Sequence, residues 1–114
     1  MEKRILSVKY SIFGKYDYIE ATPEIISRLF QAFAPDGFMP NMINLLKIQQ
    51  PQNIVQQILR PQLINQKMSC TISLLPERVD IEFSNSEYTD NVLDYLKRLI
   101  DLFELRISRI QQQY

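Results

Sequence analysis

The residues of this chain with the clearest potential for chemistry are two carboxylates, Asp80 and Glu82. They alternate with apolar residues in a strand-like run, so both would lie on one face of a strand, about 7 Å apart. With Asp90 or Asp94 nearby, their oxygen atoms could bind Mg²⁺ or Ca²⁺. The simpler interpretation is that the two side chains form the solvent-facing row of that strand.

Histidine is missing from the sequence, and Cys70 is the only cysteine. This composition removes the commonest general base near neutral pH, the usual zinc ligand and every catalytic triad that depends on histidine. One cysteine can form neither an intramolecular disulfide nor a two-thiol metal site, and its place in an alternating apolar run predicts a buried side chain. We therefore expect a protein that is not an enzyme and that uses no cofactor and no metal.

Length and composition predict a single domain spanning residues 1–114, because 46% of the residues are apolar and can form one core. Only two glycines are present, which argues against a glycine-rich phosphate-binding loop. The net charge is zero, so no overall field attracts the chain to nucleic acid or to a membrane. With no signal peptide and no apolar run of about 18 residues, we expect a cytoplasmic protein that does not enter a membrane.

Alternating apolar residues from Met68 to Phe83 form two runs that predict a β-hairpin at the centre of the fold. An earlier alternating run predicts a first strand over Arg4 to Phe13. Between them, a Thr-Pro-Glu start and apolar residues at helical spacing predict a helix over Pro23 to Phe33.

The middle of the chain allows more than one interpretation. Phe38 to Met42 is predicted as an apolar loop that is either buried or faces a partner, and Ile43 to Ile48 as a strand. Ile54 to Leu59 suits either a strand or a helical turn. We favour a strand that bends at Pro61 and continues through Ile64, since proline in a strand indicates an edge or a bulge.

A second helix is predicted after Ser84 to Ser86, where apolar residues recur at helical spacing up to Phe103. Two alternatives remain for residues 104–110: the helix continues to Ile110, or it ends and a last strand follows.

Together these elements predict an α+β fold, with an antiparallel sheet of four to five strands and two helices packed on one face, in the order β-α-β-β-β-β-α. The residues expected in its core are Leu6, Val8, Tyr10, Ile12, Leu29, Phe30, Phe33, Cys70, Ile72, Leu74, Val79, Ile81, Phe83, Leu96, Leu99 and Phe103.

The second helix carries more apolar width than one sheet face needs, and Phe and Met are typical of interface cores. We therefore expect a protein-interaction module, an adaptor or an inhibitor of an unidentified protein partner, that also self-associates as a homodimer. The residues expected at this interface are Phe38, Met39, Met42, Tyr95 and Leu102.

An alternative is a nucleic-acid-associated accessory protein. Residues 37–76 contain no acidic residue and include three cations, Lys47, Arg60 and Lys67. A surface that gathers such cations would bind phosphate groups.

The order of the pieces resembles the opening region of a family of sporadically distributed bacterial proteins of unknown function. There an alternating strand, a helix and a proline-bearing extended segment lead through an Arg-Pro turn into a hairpin, and a helix follows. The corresponding pieces here are Ile5 to Ile12, Pro23 to Phe33, Arg60-Pro61, Cys70 to Leu74, Arg78 to Ile81 and Tyr88 to Ile100. The resemblance covers most of the chain, without that family's second half, and implies the fold but no activity and no site residue.

Overall fold

The structure, a computed structural model, describes residues 7–49 and 54–113 of the chain. Its strands are β1 (Val8–Gly14), β2 (Met39–Gln49), β3 (Ile54–Asn65), β4 (Cys70–Leu74), β5 (Arg78–Phe83) and β6 (Ile107–Gln113). Its helices are α1 (Pro23–Phe33) and α2 (Val92–Phe103), and 3₁₀ turns lie at Ala34–Asp36 and Ser86–Asn91.

All six strands belong to one antiparallel sheet in the order β2-β3-β4-β5-β1-β6. The chain leaves the sheet after β1 to form α1 and leaves it again after β5 to form α2, and both helices cover the same face. The predicted α+β fold with an antiparallel sheet is confirmed, but the strands number six rather than four to five. The additional strand is β6, so the strand alternative for residues 104–110 is the one observed.

Helix α1 has the bounds that the sequence predicts, Pro23–Phe33. The backbone N–H of Ile25 donates to Thr22 Oγ1 (3.3 Å), which satisfies one of the free donors at the helix start. The helix tightens into the 3₁₀ turn, and Gly37 follows with a φ of 100°. Glycine adopts this left-handed conformation at little cost, so the chain can reverse there and enter β2.

Helix α2 begins later than predicted. The segment after Ser84 first forms the 3₁₀ turn over Ser86–Asn91, and the α-helix runs from Val92 to Phe103. It ends where Glu104 adopts a left-handed conformation with a φ of 52° and donates its N–H to Ile100 O (2.7 Å). After this turn the chain enters β6, which includes Gln111–Gln113.

The predicted hairpin is confirmed as β4 and β5, with Leu74 opposite Val79. The middle section is strand from Met39 onward, so the loop predicted for Phe38 to Met42 is wrong beyond Phe38. The strand interpretation of Ile54 to Ile64 is confirmed by β3. Pro61 immediately precedes Gln62, the first residue of β3 that pairs with β4. This position suits a proline, which has no N–H to donate to a neighbouring strand.

The core lies between the sheet and the two helices. Of the residues predicted there, Leu6 falls outside the described residues, Tyr10 is half-buried, Phe30 is 41% exposed, and the others are buried. Buried residues that the pattern did not predict are Tyr16, Ile19, Phe38, Leu63, Tyr95 and Leu105.

Arg98 ties the two helices together. Its guanidinium lies 5.3 Å from the Phe33 ring centroid, donates to Ala32 O (3.2 Å) and pairs with Asp36 (2.8 Å). An arginine at the end of α1 satisfies a terminal carbonyl and favours the negative end of the helix dipole. The contact orients α1 relative to α2 over the sheet.

Two buried groups in this core are expected to make stability depend on pH in alkali. Burial raises the pKa of the Cys70 thiol to about 12. Burial, followed by the nearby Cys70 and Asp36 groups, raises the pKa of Tyr95 to about 12. The unfolded chain loses these protons first, so the folded state binds more protons over this range, and the free energy of unfolding falls as pH rises from about 9 toward 12.

Urea denaturation at about pH 8 and about pH 10.5 measures this effect, with a lower midpoint expected at the higher pH. A Cys70→Ala variant should show a shallower decline, because the thiol contribution is lost while those of Tyr95, Tyr16 and Tyr18, whose pKa values burial also raises, remain. In the folded protein at about pH 8, we expect iodoacetamide to alkylate Cys70 far more slowly than in urea. Equal alkylation rates in the two conditions would contradict the burial of the thiol.

Candidate interaction surface

Strands β2 and β3 form a hairpin that is longer than the rest of the sheet. They pair from Met39 opposite Ile64 to Gln49 opposite Ile54, whereas β4 pairs with β3 only over Gln62–Asn65. Residues 42–49 and 54–61, here called the arm, therefore have no third strand within the described residues. At about 3.3 Å per residue the arm is about 26 Å long, and it contributes to the longest molecular dimension of 57 Å.

One face of the arm exposes apolar side chains. Residues opposite each other in an antiparallel pair share a face, so Met42 (opposite Pro61) and Leu59 (opposite Asn44) lie on the same face as buried Leu63. Met42 is 52% exposed and Leu59 is 46% exposed. The apolar row that is buried at the base of the hairpin thus continues outward beyond the core.

Helix α1 extends this apolar surface. Ile25 and Arg28 line a cleft with Leu102 of α2, so Ile26 and Phe30 lie on the opposite flank of α1. The helix packs on β2 and β3, and the N–H of Ala21, just before the helix, donates to Leu59 O (3.3 Å). The start of α1 thus lies beside Leu59, and we group the exposed Phe30, Met42 and Leu59 with the half-exposed Ile26 under the name apolar patch.

The five residues that the sequence predicts at an interface differ in exposure in the structure. Met39 and Met42 are exposed in β2, and Leu102 is half-buried against the core. Phe38 and Tyr95 are wrong as surface residues, because both are buried with their ring centroids 5.1 Å apart. Phe38 enters the core because the left-handed Gly37 turns the chain back beneath α1.

Sequence reasoning missed Phe30 and Leu59 as surface residues. Phe30 was predicted in the core, yet it is 41% exposed, and Leu59 is 46% exposed. Helical spacing shows that the apolar residues of α1 form a stripe, but the spacing does not show how much of the stripe the sheet covers.

Arg60 does not belong to a basic surface. Its side chain is 4% exposed, and Nη1 donates to the carbonyl oxygens of Tyr16 (3.3 Å), Asp17 (3.2 Å) and Ile19 (2.6 Å). Carbonyl groups of an irregular loop need donors when they are buried, and one guanidinium supplies them here. The expectation that Arg60 contacts phosphate is therefore wrong; the residue clamps the segment after β1 to the base of the arm.

The other two predicted nucleic-acid residues do not join it. Lys67 is exposed in the turn between β3 and β4, and Lys47 belongs to β2 with its side chain outside the described part of the structure. No basic cluster is thus formed by Arg60 and Lys67, the two whose side chains the structure describes.

The predicted carboxylate pair is not assembled into a cation site. Asp80 is buried and accepts hydrogen bonds from Ser11 Oγ (2.8 Å) and Arg78 Nε (2.9 Å), with Lys9 Nζ at 3.5 Å. Asp94 pairs instead with Arg98 on the helix-covered side of the sheet. Among residues 7–49 and 54–113, no group of three or more His, Cys, Asp and Glu side chains is arranged to hold a metal ion.

Within the described ranges, neither helix has the length and apolar content that crossing a bilayer would require. Comparisons with protein-family models, with curated protein sequences and with solved structures give no match to this chain.

Proposed function

We propose that this chain is a non-enzymatic protein-interaction module that self-associates through the arm and the apolar patch. The observation that carries the proposal is the arm itself: a two-stranded ribbon with exposed Met42 and Leu59 on one face. A two-stranded ribbon is only marginally stable in water without a third strand or a packed cover. A second copy of the chain supplies both. We place this activity in the cytoplasm, where a lone cysteine stays reduced.

The magnitudes favour a contact that uses the strand edge as well as the side chains. Burying a half-exposed Met or Leu contributes about 1 kcal/mol, so Phe30, Met42 and Leu59 from each copy contribute about 6 kcal/mol in total. A micromolar complex requires about 8 kcal/mol, after the cost of association. Side-chain burial alone is therefore too weak, and backbone hydrogen bonds must add to it.

Strand β2 can supply those bonds. It is an edge of the sheet, and residues 39–46 include no charged side chain. Charged residues are one common protection of an exposed edge, and β2 contains a single one, Lys47, so residues 39–46 are the part of the edge that favours strand addition. Two copies related by a two-fold axis would pair their β2 edges, and each arm would cover its partner. An adaptor or inhibitor role would use the same surface for another protein's strand.

Light scattering on a size-exclusion column tests the proposal. We expect the parent chain to elute as a dimer whose mass does not change with salt, because the contact is apolar. The double variant Met42→Glu, Leu59→Glu should weaken association by about 100-fold or more, since two carboxylates would be buried in each half of the contact.

The matched control is Leu93→Glu, which adds a charge at an apolar side chain that is 64% exposed on α2 and far from the arm. It should remain a dimer, and circular dichroism should show that all variants fold. A monomeric parent at about 100 µM, or a double variant that dimerises like the parent, would defeat the proposal.

A further inference from the structure

A groove of about 850 Å³ opens at the end of the sheet where β1 finishes, between the end of α2 and the start of β6. Pockets that bind small molecules have volumes of roughly 300–1,000 Å³ and combine apolar walls with a few polar groups. The aromatic and cationic residues lining this groove are Phe13, Tyr18, Phe103, Lys15, Arg106 and Arg109.

The charges of the groove leave an excess of one positive charge. None of Lys15, Arg106 and Arg109 forms an ion pair with a carboxylate of residues 7–49 or 54–113. Two carboxylates, Glu77 and Glu104, also line the groove. With three cations and two carboxylates, the lining has a formal charge of plus one, which a ligand with one negative charge would neutralise.

A β-bulge in β6 places Arg109 where it lines the groove. Phe13 pairs with Arg109 while Gly14 pairs with Ile107, so Ser108 is an extra residue in β6. Neighbouring residues of a regular strand point to opposite faces, but the bulge lets both Ser108 and Arg109 line the groove. The Arg109 guanidinium lies 4.3 Å from the Phe13 ring centroid, and Ser108 Oγ donates to Phe13 O (3.0 Å).

The opposite wall is also held in place by specific contacts. Tyr18 Oη donates to Phe103 O (3.0 Å), a terminal carbonyl of α2 that has no partner within the helix. Glu104 follows in a left-handed conformation that usually favours glycine, which places a carboxyl-bearing residue at the rim. The N–H of Gly14 donates to Glu77 O (3.1 Å) and joins the β4–β5 turn to β1. The walls are therefore preformed.

We infer that this groove binds a small organic monoanion with an aromatic body, such as an aryl carboxylate, sulfonate or phosphate ester. The aromatic walls would contact the ligand body, and Lys15, Arg106 and Arg109 would contact the anionic group. The groove is separate from the apolar patch, and the inference does not rest on self-association.

A titration with two fluorescent probes tests the inference. The probes are 1-anilinonaphthalene-8-sulfonate, a monoanion, and N-phenyl-1-naphthylamine, a neutral compound with the same aromatic body. We expect the sulfonate to bind saturably, once per chain, and about tenfold or more tightly than the neutral amine. The variant Lys15→Gln, Arg106→Gln should weaken sulfonate binding by about tenfold and leave amine binding unchanged, because both side chains are exposed and contribute charge rather than packing.

The control for net charge is Lys67→Gln, Lys97→Gln, which removes two exposed cations away from the groove and should bind both probes like the parent. Equal affinity for the two probes would show that the groove does not recognise the anionic group, and the inference would be wrong. If Met42→Glu, Leu59→Glu abolished sulfonate binding and the Lys15→Gln, Arg106→Gln variant kept it, the probe would be reporting the apolar patch. The groove inference would then fail while the proposed function stood.

Discussion

Replacing Arg60 with alanine is expected to lower the free energy of unfolding by about 3 kcal/mol and the Tm by roughly 10 °C. The reason is that one guanidinium serves the carbonyl oxygens of Tyr16, Asp17 and Ile19. Tyr16 O also accepts from the Ile19 N–H (3.0 Å), but among the described residues the carbonyls of Asp17 and Ile19 have no other donor. Losing a buried donor costs more than the net value of each hydrogen bond, because the carbonyl groups stay desolvated. Urea denaturation monitored by circular dichroism gives the change.

Two further variants sharpen this experiment. Arg60→Lys keeps a charged nitrogen donor, but its side chain is shorter and lacks the planar guanidinium that positions Nη1 at the three carbonyls, so we expect an intermediate loss. Arg28→Ala removes an exposed arginine whose partner, Glu24, lies at 3.9 Å, and should change stability by less than about 0.5 kcal/mol. A loss below about 1 kcal/mol for Arg60→Ala would show that the clamp between the loop and the arm is not structural.

Replacing Phe38 with alanine is expected to cost about 3–5 kcal/mol. The ring is fully buried and packs edge-to-face against Phe33 (5.5 Å between centroids) and Tyr95 (5.1 Å). Truncation removes apolar contacts and leaves a cavity that close-packed neighbours cannot fill. Aromatic pairs of this geometry add about 1 kcal/mol beyond burial, so the loss should lie toward the upper end of the range.

The adjacent residue is the matched control. Met39 is 63% exposed, so Met39→Ala should change stability by less than about 1 kcal/mol. Both variants are measured by urea denaturation at one fixed protein concentration, because self-association adds to apparent stability. If Phe38→Ala left stability unchanged but weakened association, Phe38 would be an interface residue after all.

Much of the fold was predictable from local pattern. The Thr-Pro start and apolar spacing predict α1 with its observed bounds, and period-two alternation predicts the β4–β5 hairpin and its apolar face. These features depend on neighbouring residues only, so a single sequence contains the information. The candidate surface was predicted less well: Met42 was expected there, whereas Phe30 and Leu59 were not.

The residues whose surroundings were predicted wrongly are those whose contact partners lie far away in the chain. Arg60 looked like a free cation, yet it hydrogen-bonds to a loop more than 40 residues earlier. Phe38 was predicted in a buried or partner-facing loop and assigned to an interface, yet it packs against Tyr95 of α2 in the core. A periodic pattern shows that a side chain needs burial or a hydrogen-bond partner but does not identify the group that provides it.

The sequence by itself determined the type and order of β1, α1, β4, β5 and α2, and the apolar face of the two central strands. The tertiary structure alone decided that β6 closes one edge of the sheet, that β2 and β3 extend beyond β4 as an arm, and that α1 leaves Ile26 and Phe30 beside it. The physical reason is that several elements compete for the same face of the sheet. That face has a limited area, so it can cover some apolar rows and must leave others in solvent.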